Sequence, residues 1–155
     1  MVFAVIRIRG TVNIKTNIKR TLGMLRLTRA NHCVLINESN KSFMGMIKKA
    51  KDYITWGELD KDLATNLIKS RGKLIGNKDI TDEYIKSASP YNNTKEFAYA
   101  VAENKMNYSD LSDVKPLFRL NPPKNGYHGI KKTVPKGGAL GYRGKNINLL
   151  IEKML

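Results

Sequence analysis

Hydrophobic and polar positions over residues 3–10, FAVIRIRG, repeat with a period of two. The repeat predicts a strand with Ala4, Ile6 and Ile8 on one face and Phe3, Val5, Arg7 and Arg9 on the other, ended by Gly10. From Asn13, a candidate N-cap, the period lengthens. Ile14, Ile18, Leu22 and Leu25 form the narrow apolar stripe of a helix reaching about Leu27. HCVLI at 32–36 is a short β-rich run and reads as a second strand, followed by a polar connection from Asn37 to Asn40. A second helix is expected from Ser42 to Lys51, because Phe43, Ile47 and Ala50 share a face that Lys48, Lys49 and Lys51 mostly avoid. Tyr53 to Trp56 supplies a third strand. The first 57 residues thus read β-α-β-α-β, an α+β unit of two layers with two helices over one face of a small sheet.

The pattern then changes. Leu59, Leu63 and Leu67 fit a helix ending near Gly72, residues 80–87 a short one, and Asn93 or Thr94 caps a third carrying Phe97, Val101 and Met106. After Lys115 the chain is rich in Pro, Gly and basic residues and has few apolar positions in register, too few to fold alone. Ile147, Leu150, Ile151 and Met154 form a closing amphipathic helix that can dock it. Three regions follow: a core at 1–57, a helical middle at 58–114 and a basic extension at 115–155.

Charge sharpens this division. The chain of 155 residues holds 28 basic and 13 acidic side chains, +15 overall. Residues 1–57 hold 11 basic and 2 acidic, residues 58–114 hold 8 and 10, and residues 115–155 hold 9 and 1. Two basic ends around a near-neutral middle predict a polyanionic partner met by two surfaces, with the middle facing water or another protein. Lysines that merely keep a surface soluble would be spread more evenly. No apolar run is long enough to span a bilayer, and the chain enters a strand pattern at once rather than a signal peptide, so an intracellular setting is expected. A single cysteine, Cys33, and two histidines, His32 and His128, do not make a disulfide or a zinc cluster, and no metal or other cofactor is expected.

The candidate partner-facing residues are basic. On an ideal helix Lys15, Lys19 and Arg26 fall within about 40° of one another, a ridge whose mutual repulsion a phosphate backbone would relieve. Arg20 and Arg29 point elsewhere and can reach a second phosphate path, and Lys48 and Lys49 add charge on the second helix. In the extension Arg119, Lys124, Lys131, Lys132, Lys136, Arg143 and Lys145 are interspersed with glycines, which allow a close backbone approach. Tyr127, His128 and Tyr142 offer rings for stacking on unpaired bases.

Catalytic arrangements are poorly supported. His32 and Cys33 are adjacent on a strand, point to opposite faces and cannot form a nucleophile–base pair, so a core cysteine beside a surface histidine is expected. Asp79, Asp82 and Glu83 read as a helix start. The glycines from Gly137 to Gly144 lack the Gly-Lys-Ser/Thr ending of a phosphate loop.

The strand RIRG, RTLGMLRLTRANHCVLI at 20–36 and SFMGMIKKAKDYITWG at 42–57 resemble the ribosomal protein L-thirty family, called L-seven in eukaryotes. The resemblance continues through GELD at 57–60, FRLNPPKNGYHGIKK and PKGGALGYRGKNINLLI, and so covers essentially the whole chain. Bacterial members are similar only to the first portion, so the later segments point to the archaeal and eukaryotic branch. The short run before the first strand favours the archaeal form. The resemblance implies a three-stranded antiparallel sheet with two helices on one face, related to the ferredoxin-like arrangement. It also implies a non-catalytic role in the cytoplasmic large ribosomal subunit, bound to its rRNA near the 5S rRNA region and beside other ribosomal proteins. The first helix and the basic end segment are then the RNA-facing parts. Two other classes remain to be separated from this one: a DNA-compacting protein, for which no recognition-helix dimer pattern is seen, and a small enzyme on a similar scaffold, for which no convergent polar site is seen.

Overall fold

The computed structural model describes all 155 residues. Five strands, β1 (Val2–Arg7), β2 (His32–Asn37), β3 (Ile54–Glu58), β4 (Phe118–Arg119) and β5 (Gly141–Tyr142), form one sheet in the order β4-β2-β1-β3-β5. β1 lies antiparallel between β2 and β3, with Ile6 opposite Cys33 on one side and Thr55 on the other. The three central strands match the sequence expectation. The basic extension adds both edges, β4 antiparallel to β2 and β5 parallel to β3, so the sheet has five strands rather than three. Backbone pairing, which needs few apolar side chains, docks this core-poor segment.

Helices cover both faces, where a single covered face was expected. Phe3, Val5, Val34, Ile36 and Ile54 pack with Leu22 of α1 (Thr16–Met24) and Ile47 of α2 (Lys41–Lys49). On the opposite face Ala4, Ile6 and Cys33 join Leu63 and Leu67 of α3 (Lys61–Arg71), Ile85 of α4 (Asp82–Ala88), Phe97 and Val101 of α5 (Thr94–Ala102), and Ile147 and Ile151 of α6 (Ile147–Met154). The cause lies in β1 itself. All six of its residues are buried, and a strand apolar on both sides needs a layer on each. The middle region is that second layer, not a body standing apart from the core.

Local signals set the helix ends. Asn40 caps α2, its side-chain oxygen accepting from the amides of Ser42 and Phe43 at 3.2 and 3.4 Å. Thr81 caps α4, and the Asp82 carboxylate accepts from the Thr94 amide at 2.8 Å, joining α4 to the start of α5. Asn13 is not the cap of α1. It turns the chain at φ 56°, and the helix begins three residues later after Lys15. α1 ends with the Leu27 amide on the Leu22 carbonyl and the Arg26 amide on that of Gly23, both at 2.9 Å, which holds Arg26 at φ 61°.

Cys33 is fully buried, and burial pushes its thiol up to about 12. His32, expected at the surface, is buried at 8% exposure, because β4 lies alongside it with Arg119 opposite.

Candidate nucleic-acid interface

The sheet registers place the end of β1 beside the start of β2, the start of β3, the end of β4 and the start of β5. Four connections therefore gather at one end of the sheet: residues 8–15, 27–31, 50–53 and 120–140. They carry two, one, one and four basic side chains, eight in all, against one carboxylate, Asp52. The other end holds the carboxylates of Glu38, Glu58 and Asp60 against Lys145 and the Met1 ammonium, which pairs with Glu38. Charge that alternates by region along the sequence is thus sorted by sheet end in space. The two basic surfaces expected from the sequence are largely one.

Several contacts hold this end in shape. Arg7, only 2% exposed, turns its guanidinium into the gap between two loops. It donates to the carbonyls of Leu27 at 2.7 Å, Thr28 at 2.9 Å, Arg9 at 2.9 Å and Gly10 at 3.0 Å. Desolvation lowers its pKa, yet an arginine starts so high that it stays charged. The extension is tied in at Asn31, whose carbonyl accepts from the Leu120 amide at 3.1 Å and whose side-chain oxygen accepts from the Tyr127 hydroxyl at 2.6 Å. The Arg9 guanidinium lies 4.7 Å from the centre of the Tyr53 ring.

Beside these ties lies a shallow cleft lined by Arg9 and Lys15 from the first region and Lys131 from the last, together with Asn13, Tyr53, Thr133 and the single carboxylate Asp52. On the β2–β4 side of this end His32 is held below its usual pKa, first by desolvation and then by Arg119 and Arg29. Burial is the larger cause, and the two arginines add to it their positive charge, which repels the imidazolium. Such an end can take up phosphates, whose negative charge relieves that repulsion.

Most of the sequence-predicted residues reach this end. Lys15, Arg29, Lys124, Lys131, Lys132 and Lys136 lie in its connections, Arg119 closes β4 there, and exposed His128 lies in the same 120–140 segment. Lys19 and Arg20 follow Lys15 on the exposed side of α1, and Lys48 and Lys49 occupy the last turn of α2, which runs into the 50–53 connection. Three do not join them. Arg26 lies beyond the helix, where the 100° step no longer applies, and lines a separate groove beside β2 with Asn37 and Asn40. Arg143 is turned inward, donating to the Ala139 carbonyl at 3.1 Å and the Thr55 hydroxyl at 3.4 Å. Lys145 follows β5 and stands at the acidic end.

Two of the rings proposed for stacking are also committed elsewhere. Tyr127 is half-buried on Asn31, and burial raises its pKa. Tyr142 meets Phe3 edge-on at 6.3 Å and donates to Glu58 at 3.1 Å. Arg9 and Lys51 were missed because the sequence pattern placed Arg9 on a face of the first strand and Lys51 at the end of the second helix, whereas β1 ends at Arg7 and α2 at Lys49 and both residues stand in connections. Their shared position becomes visible only in the register.

A family model described as ribosomal protein L30p/L7e matches residues 3–54, from β1 to the first residue of β3. Beyond this interval the likeness continues to full-length relatives. The chain is 52% identical over 153 residues to the large ribosomal subunit protein uL30 of Methanobrevibacter smithii, with 99% of each chain covered. It is 51% identical to that of Methanosphaera stadtmanae, again with 99% of each covered. Against the protein of Methanopyrus kandleri the identity is 47% over 149 residues, 95% of this chain and 99% of the relative. Identity of this order across core, middle and extension together shows that the chain belongs to the uL30 family of large-subunit ribosomal proteins.

Proposed function

We propose that the chain is a structural, non-catalytic constituent of the large ribosomal subunit that holds rRNA with the basic end of its sheet. One observation carries the reading: eight cations and a single carboxylate on the four connections brought together there. Phosphate contacts from these side chains position the protein, while RNA shape and unpaired bases supply specificity. The cleft of Arg9, Lys15 and Lys131 and the arginines around His32 are the contact points proposed within it. The RNA segment they meet lies near the 5S rRNA, and neighbouring ribosomal proteins meet the remaining surface.

Binding of the chain to purified large-subunit rRNA across a salt series tests this. If four of the eight cations each neutralise a phosphate, the log–log slope is about −3. A flat response, or equal affinity for unrelated structured RNA or duplex DNA, would overturn it. Hydroxyl-radical footprinting on the large subunit tests the location, since protection confined to segments remote from the 5S rRNA excludes that neighbourhood.

A further inference from the structure

A second cluster of cations lies where the middle region meets the extension, and the sequence pattern singled out only one of its members. Arg71 at the end of α3, Lys73 just after it, Lys115 and Arg119 line a concavity of about 270 Å³ together with Ser70 and Asn77. One apolar side chain, Leu117, contributes to the wall. These are not loose surface lysines. The Lys115 amide donates to the Lys73 carbonyl at 2.9 Å, and Leu74 bridges to Val114, so the two lysines sit on paired backbone. Arg71 is anchored by a 2.7 Å bond to the main-chain oxygen of Leu155. Lys115 donates to the side-chain oxygen of Asn77. The four cations are partly matched, Arg71 by the oxygen of the last residue, Leu155, and Lys73 by Asp79, whose side chain is 69% exposed. An exposed pair of that kind is weak and yields readily to a stronger anion.

The geometry points to a phosphate-binding pocket for the backbone of a nucleic acid, separate from the Arg9–Lys15–Lys131 cleft. An acidic protein segment is the less suitable occupant, because protein interfaces centre on apolar and aromatic side chains and this wall has one. Two guanidinium groups, two ammonium groups and the Asn77 amide form the donor set that phosphate oxygens take. The middle region thereby touches RNA rather than only water or protein. The inference rests on the reading of the chain as an rRNA-binding protein.

The test uses the full-length Lys73→Gln/Lys115→Gln double variant, with Arg71 kept so that its bond to Leu155 survives. Its thermal midpoint confirms folding, and Lys15→Gln/Lys131→Gln serves as the companion variant at the other site. Binding to purified large-subunit rRNA is measured across the same salt series. The pocket predicts that the double variant lowers the magnitude of the slope by about 1.5 for the two lysines, and loses protection at an rRNA segment that the companion variant still protects. An unchanged slope and footprint in the double variant, with the companion impaired, would overturn the pocket and leave the proposed function standing. Indifference of both variants would count against the proposed function itself. Normal binding to naked rRNA combined with defective incorporation into subunits would assign the pocket to a protein partner and refute the phosphate reading.

Discussion

The two ends of the sheet are built by different means. At the basic end, four connections stand in solvent and are held from beneath by one buried guanidinium and by Asn31. At the acidic end, close packing does the holding. A Cβ on Gly57 would lie 2.0 Å from the Gly144 carbonyl oxygen, and the Asn148 side chain donates to the Glu58 and Lys145 carbonyls at 3.0 and 2.9 Å while accepting from the Asp60 amide at 3.1 Å. Charge and rigidity are thus separated. The basic end is braced by a cation of its own, because the buried Arg7 guanidinium bonds to backbone carbonyls and uses none of the eight cations on the connections.

Loss of Arg7 should damage the basic end most. Arg7→Leu strands several carbonyls that now accept from a charged donor, and it should cost about 3 kcal/mol or more, seen in denaturant unfolding. It should also weaken rRNA binding by freeing the 8–15 and 27–31 loops. An unchanged unfolding midpoint would mean that water replaces the guanidinium. Gly57→Ala should cost about 1–3 kcal/mol by overpacking against backbone that cannot withdraw. RNA affinity measured well below its melting temperature should stay close to that of the parent, because the proposed contacts lie at the other end.

Lys15→Glu/Lys131→Glu tests the opposite separation. Stability should shift by less than about 0.5 kcal/mol, while rRNA affinity and the salt slope both fall. The same slope after Lys145→Gln completes the contrast, since Lys145 stands at the acidic end. A drop in slope there would show that RNA wraps both ends.

The smallest effect concerns pH. His32 has a folded pKa below its unfolded value of about 6.5. Below that pH the unfolded chain binds more protons than the folded one, so stability should decline as pH falls from about 6.5 toward the lower folded pKa. His32→Gln should remove that part of the decline. Bound rRNA should shrink it too, by neutralising Arg29 and Arg119.

Much of the architecture is legible along the chain. The order of β1, α1, β2, α2 and β3 follows from periods of two and 3.6, and α6 from its apolar stripe. The expected ridge of Lys15, Lys19 and Arg26 illustrates where such reading fails. It assumes one helix from Asn13 to Leu27, whereas the helix is nine residues long and both outer members lie outside it. Turn geometry at Asn13 and Arg26, each in a left-handed conformation that side chains other than glycine seldom adopt, ends the period without a compositional signal.

Composition and patterning by themselves determined a basic α+β protein with charge concentrated in its first and last regions, since both are properties of residue type and local spacing. Only the tertiary structure decided that those regions share one end of a five-stranded sheet, that α3–α6 cover its second face, and that Arg143 turns inward while Arg9 faces the cleft. Strand register and edge pairing set those outcomes. They depend on contacts between residues as far apart as Thr55 and Gly141, which no local period records.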